Sequence, residues 1–107
     1  MRNHFEFGIA AEAALDGLKR HLIAHGEEEQ VVFEVEQQKG ILNVLFDHPG
    51  VKFVIAPNMP LHQIWISAPA TSFMLNWDSG VEEFILPRTG ETLIGLVERL
   101  IGERRAA

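Results

Sequence analysis

Residues 60–69 read PLHQIWISAP, and the phase of this short run decides how the chain is layered. Ile64 and Ile66 are two apart, so in a strand they share a face, while Gln63, Trp65 and Ser67 point to the other side. The isoleucines belong in a core. The tryptophan is then left on an otherwise polar outer face, and the sheet that carries it has one covered side and one open side.

Upstream the same period appears in VVFEVEQ, residues 31–37, where Val31, Phe33 and Val35 alternate with Glu34 and Glu36. Further extended segments are ILNVLF (41–46), VKFVI (51–55), FMLNW (73–77) and the shorter EFIL (83–86). The breaks between segments are Gln38-Lys39-Gly40, His48-Pro49-Gly50, Pro57 to Pro60, the Ala68-Pro69 region and Ser79-Gly80. Spacers this short join neighbouring antiparallel strands, so the segments read as a meander of five or six strands. Trp77 alternates with Phe73 and Leu75 and is assigned to the core.

Helical spacing flanks the meander. Phe7, Ala11, Ala14, Leu15, Leu18 and Leu22 recur every three or four residues, with Gly26 as a stop. After RTG (88–90) the period returns at Leu93, Leu96, Val97, Leu100 and Ile101, with Arg99, Arg104 and Arg105 toward the C-terminus, where cations suit the helix dipole. Thr89 is the expected cap of this helix, with Gly90 opening it and Glu91 in its first turn. Each helix has one apolar stripe and so needs one surface to cover. The reading is α+β: N- and C-terminal helices packed on one face of a five- to six-stranded antiparallel sheet, as a single domain over residues 1–107.

A chain of 107 residues buries roughly two thirds of the surface of its unfolded form and needs no cross-links. It has no cysteine, which removes disulfides, thiolate metal ligands, iron–sulfur ligation by this chain and a cysteine nucleophile together. The N-terminal MRNHFEFGIAAEAALDG lacks the basic region and apolar core of a signal peptide, and no apolar run reaches bilayer-spanning length. The expectation is a cytoplasmic protein with no membrane partner. A formal charge of −6 disfavours nucleic acid and favours cations or a basic protein surface. Ser67, Ser72 and Ser79 occur outside any GxSxG elbow and tyrosine is absent, so nothing supports a hydrolase.

Eight of the fifteen carboxylates fall in the first 36 residues, against three basic residues: Glu6, Glu12, Asp16, Glu27, Glu28, Glu29, Glu34 and Glu36. Glu12 and Asp16, four apart, share a helix face, and Glu34 and Glu36 share a strand face roughly 6.6 Å apart. Two such charges repel in water by about 0.7 kcal/mol at ~6 Å, a cost that any cation relieves. Hard oxygens suit Fe²⁺, Mn²⁺ or Mg²⁺, but on regular elements they do not close a coordination sphere, so the expected binding is weak and mostly hydrated. His21 and His25 have the four-residue spacing of a paired-imidazole site. Without an HExxH order they read as a solvated helix end. His4, His48 and His62 are expected on loops or strand edges.

PLHQIWISAP, then NWD at 76–78, then RTGETLIGLVERL at 88–100, resemble in sequence and order the signature of the frataxins, bacterial members included. AEAALDGL (11–18) is similar to the start of the frataxin first helix and GILNVLF (40–46) to its second strand, so the likeness runs from about residue 5 to residue 102. The resemblance implies two helices over an antiparallel sheet. It also implies a non-enzymatic protein of iron–sulfur cluster assembly that binds iron (Fe²⁺ or Fe³⁺) weakly and needs no organic cofactor. Such a protein docks on a cysteine desulfurase and a scaffold protein; a monomer is the default. Frataxins use an acidic ridge for iron and for a basic patch on the desulfurase. The resemblance carries that role here to Glu12, Asp16, Glu34 and Glu36, with Glu6, Glu27, Glu28 and Glu29 adding to the docking charge. It gives the open sheet, through Gln63, Trp65 and Ser67, to the assembly complex.

The chain also departs from that pattern. Lys19 and Arg20 stand where frataxin first helices continue acidic, Ala13 replaces a further carboxylate, and Asp16 and Arg20 are spaced for an intrahelical pair. Ala56 takes the place of an asparagine and Asn58 that of a glutamine, and TSFMLNW (71–77) lacks a basic residue common before the Asp-Trp of frataxins. A second reading follows from these departures: a small acidic adaptor of the same fold that binds another protein through the Trp65 face, with no physiological iron role.

Overall fold

A computed structural model describes residues 3–25, 33–46 and 51–106, without the side chains of residues 25 and 104–106. Gly26, Glu27, Glu28, Glu29, Val31 and His48, with the side chains of His25, Arg104 and Arg105, lie outside the described residues, as do the expectations placed on them.

The first helix, α1 (His4–His25), begins three residues before its apolar period does. Asn3 explains the extension, because its side-chain oxygen accepts the Glu6 N–H at 2.8 Å and satisfies one of the unpaired amides of the first turn. His4 is therefore the first helical residue, where a loop was expected. Phe7, Ala11, Leu15, Leu18 and Leu22 form the buried stripe, and Ala14 borders it.

Six strands follow: β1 (Phe33–Gln38), β2 (Ile41–Phe46), β3 (Lys52–Asn58), β4 (Gln63–Ser67), β5 (Ser72–Asp78) and β6 (Glu83–Ile85). Each pairs antiparallel with its neighbours in sequence, so the sheet order is the chain order and β1 and β6 are the edges. The β1–β2 turn is two residues, Lys39 and Gly40, both left-handed (φ 52° and 79°), the handedness that a two-residue hairpin on twisted strands requires. The β3–β4 and β5–β6 turns share another design. Asn58 and Asp78 accept amide hydrogens from within the turn, and the last turn residues, His62 and Glu82, are left-handed at φ 51° and 56°.

Pro57 was expected to break the chain. It lies inside β3 instead and pairs with Ile64 alone, past the point where β2 stops pairing with β3 at Ile55, so its missing N–H interrupts only one ladder. The last helix, α2 (Leu93–Ala106), also starts later than expected. Its cap is Thr92, whose hydroxyl accepts the Gly95 N–H at 3.1 Å. Thr89 and Gly90 belong to a tight loop closed by Gly90 N–H to the Leu86 carbonyl at 2.8 Å, with Gly90 at φ 78°. Glu91 therefore lies before the helix and not in its first turn.

Both helices lie on one face of the sheet, and the core between the layers is continuous. Leu42, Val44, Phe53, Ile55, Ile64, Ile66, Leu75 and Phe84 rise from the strands to meet the α1 stripe and Leu93, Leu96, Val97, Leu100 and Ile101 of α2. Fully burying each such side chain contributes about 1.5–3 kcal/mol. Phe84 sits at a junction of edge-on rings, 5.8 Å from Phe7 and 5.2 Å from Trp77. No helix among the described residues is long and apolar enough to cross a membrane.

Candidate functional site: the uncovered face of the sheet

Strand pairing fixes which side chains share the uncovered face. Ala56, Trp65 and Met74 stand opposite one another on β3, β4 and β5, and Ile41 extends the row one step beyond the Leu42–Ile55 pair. These four make an apolar row, with Trp65 38 % and Met74 46 % exposed. On one side runs a polar row, Asn58, Gln63 and Asn76; on the other run Asn43, Val54, Ser67 and Ser72.

Trp65 is held in place by side chains. Its indole N–H donates to Gln63 Oε1 at 2.8 Å, and the Gln63 amide donates to Asn76 Oδ1 at 2.9 Å. The chain of bonds crosses from β4 to β5 and fixes the orientation of the ring on the open face. Sequence pattern identified Trp65, Gln63 and Ser67. It left out Asn76 and Ile41: alternation within their own strands puts them on the open face, but only the strand register sets them beside Gln63 and Ala56.

The predicted carboxylates separate into two groups. Glu34 and Glu36 are exposed on the edge strand β1 and point to the same face as Trp65; Glu36 stands opposite Asn43 and thus ends the row that contains Ser67. Neighbouring strands are about 4.8 Å apart, so roughly 14 Å separates Glu36 from Ser67. Glu12 and Asp16 are exposed on α1, in the layer on the other side of the sheet. Among the described residues no three carboxylates or histidines gather where they could hold a metal ion. Asp16 pairs with Arg20 at 3.4 Å, as its spacing predicts, so part of the helix charge is compensated. Glu6 is exposed in the first turn of α1.

Three further side chains differ from expectation. His21 is not a solvated helix end: its ring contacts Glu98 of α2 and ties the two helices together. Trp77 faces the core layer but is only half-buried, because it walls a groove of about 320 Å³ with Ala10, Ala14, Phe84 and Ile94. Glu91 bonds Arg99 through both carboxylate oxygens, at 2.7 and 3.1 Å. The Arg99 guanidinium and then the Thr89 hydroxyl hold the Glu91 carboxyl below the usual carboxylate range; Glu91, and after it Glu103, raise Arg99 in turn.

Fold and face together define a class: a two-layer α+β domain with both helices on one side of an antiparallel sheet and an aromatic anchored on the open side. Within that class the chain belongs to the frataxin-like domain family, whose model matches residues 2–106. It is similar to the iron–sulfur cluster assembly protein CyaY of Pseudomonas entomophila, 27 % identical over 78 residues that cover 73 % of this chain and 70 % of that one. The iron–sulfur cluster assembly protein CyaY of Azotobacter vinelandii is 24 % identical over 90 residues, 84 % and 81 % of the two chains. Among solved structures, frataxin from Psychromonas ingrahamii matches with a TM-score of 0.71 at 22 % identity, over 95 % of this chain and 90 % of that one. Trimeric frataxin from Saccharomyces cerevisiae matches with a TM-score of 0.72 at 22 % identity, over 92 % and 80 %. The structural matches establish the shared fold.

Proposed function

We propose that this protein serves iron–sulfur cluster assembly as a non-enzymatic, monomeric binding protein of the cytoplasm. It docks on a cysteine desulfurase and its scaffold protein and adjusts the rate of assembly. The observation that carries this reading is a tryptophan fixed on the uncovered sheet face of a chain that belongs to the frataxin-like family. The names of its CyaY relatives supply the pathway. Trp65 is the anchor, with Gln63 and Ser67 as polar surroundings. Glu34 and Glu36, on the same face, draw a basic partner toward it; Glu6, Glu12, Asp16 and Glu27 to Glu29 add long-range attraction. Iron binds weakly and largely hydrated at Glu12 with Asp16 and at Glu34 with Glu36, as two separate pairs.

The test is a titration of ¹⁵N-labelled protein with a cysteine desulfurase complex, run beside an assay of sulfide production. Selective broadening of Trp65-strand and Glu34–Glu36 amides, together with a changed sulfide rate, is the expected result. Unchanged spectra at saturating partner would sink the reading. The Asp16–Arg20 pair and the absence of a three-ligand cluster among the described residues favour one alternative, an acidic adaptor that uses the same face without iron. Partner binding that is indifferent to added Fe²⁺ would select it.

A further inference from the structure

The geometry points to a second, nitrogen-ligated metal site where α1 begins. His4 Nδ1 lies 2.7 Å from His62 Nε2, although the residues are 58 apart in sequence. Two nitrogens bound to one transition ion at ~2.0–2.1 Å each stand roughly 2.9–3.3 Å apart for octahedral to tetrahedral angles. The pair therefore needs to open by only a few tenths of an ångström to admit an ion. At present one nitrogen carries a hydrogen and donates it to the other; a metal ion would take its place.

The two rings are held differently, and the difference suits a ligand pair. His62 ends the β3–β4 turn, and its ring stacks flat on the fully buried Phe7, with centroids 5.0 Å apart and planes 8° apart. That stack fixes where Nε2 points. His4 is exposed on the first helical turn, edge-on to His62 at 4.9 Å, and is free to adjust around an incoming ion. Water or a partner group would fill the remaining positions, since no third His, Asp or Glu joins the pair among the described residues. Imidazole nitrogens favour Cu²⁺, Ni²⁺ and Zn²⁺ over Fe²⁺ and Mn²⁺, so this site would not compete for iron held by carboxylates. It is independent of the proposed role in cluster assembly. A bound ion would pin the N-terminus of α1 to the turn that leads into Gln63 and Trp65.

Zn²⁺ added to tag-free protein provides the test, with affinity from calorimetry and the ligands read from ¹⁵N shifts of the imidazole nitrogens. His4 Nδ1 and His62 Nε2 should shift, and the melting temperature should rise with Zn²⁺ concentration, as binding to the native state alone requires. Losing one of two ligands should weaken Zn²⁺ at least ~10-fold, the lower end of what even an outer-shell partner is worth. His4→Ala is the mild variant. His62→Gly removes the ring while easing the left-handed backbone, so a folded variant remains to be measured. Replacing Glu12, Asp16, Glu34 and Glu36 by their amides should leave the Zn²⁺-induced shifts of His4 Nδ1 and His62 Nε2 in place. The proposal is overturned if His4→Ala and His62→Gly bind Zn²⁺ as tightly as the parent, or if the shifting nitrogens belong to His21, His25 or His48.

Discussion

The chain has two tryptophans, on adjacent strands and opposite faces of the sheet, and they are kept by different forces. Trp77 turns toward the helices, where Phe84 meets its ring edge-on and it lines a groove together with Ala10 and Ala14 of α1. Trp65 turns away and is held by a polar relay through Gln63 to Asn76. One ring stabilises by what it covers. The other is held in place by hydrogen bonds while much of it stays uncovered.

Alanine substitution should separate the two. Trp77→Ala, half-buried and ring-stacked, should cost about 2–3 kcal/mol, somewhat under the range for fully buried aromatics, and lower the melting temperature by roughly 10 °C or more with desulfurase affinity retained in the folded fraction. Trp65→Ala should reverse the pattern, with affinity for the desulfurase complex weaker by about 2 kcal/mol, roughly 30-fold, and stability changed by about 1 kcal/mol or less. Calorimetric melting and binding isotherms on both variants decide it. Equal stability losses would erase the distinction.

Smaller effects sharpen it. Glu34→Gln with Glu36→Gln removes charge near the Trp65 face without touching the ring. Association should slow a few-fold at low ionic strength, by stopped flow, and the difference should fade as the Debye length falls to ~8 Å at physiological salt. Gln63→Ala leaves the indole without its acceptor and should cost ~0.5–1.5 kcal/mol of binding, the net worth of one hydrogen bond. A broader Trp65 side-chain resonance should accompany it.

The smallest effect lies on the Trp77 side and depends on pH. Glu91 is held below the usual carboxylate range in the fold by Arg99, so it binds its proton at higher pH when unfolded than when folded. Its contribution is complete above the unfolded value and is lost as pH falls through the lowered folded value. Glu91→Gln should therefore lower stability at neutral pH, where the contribution is complete, and flatten the acid limb, so that the two stability curves converge at low pH. With Trp65→Phe as background, Trp77 fluorescence follows that transition alone.

Most of the layering was legible because alternation and helical period are properties of single segments. Ile64 and Ile66 against Trp65, and Leu93 to Ile101, needed no knowledge of neighbours. What depended on neighbours was less legible. Two threonines, Thr89 and Thr92, could each have capped α2, and the choice was made by the loop that Gly90 closes against Leu86. Pro57 reads as a breaker until β2 is seen to stop short of it. Within the candidate site, Trp65 was visible and its support from Asn76 was not. The four carboxylates grouped as one ridge in sequence divide between two layers, because Glu34 and Glu36 have the opposite strand phase to Phe33 and Val35. The N-terminal cap had a readable signal in Asn3 three residues before Glu6, the spacing of a capping box.

The order of the sheet has a consequence for how the molecule is made. Every strand pairs with the one synthesised just before it, so the meander can assemble hairpin by hairpin as the chain emerges from the ribosome. The residues that complete its roof, Leu93 to Ile101, are translated after all six strands. Until they arrive, Phe84, Leu75 and their neighbours have only α1 for cover, and a nascent chain stalled before α2 presents part of its core to chaperones.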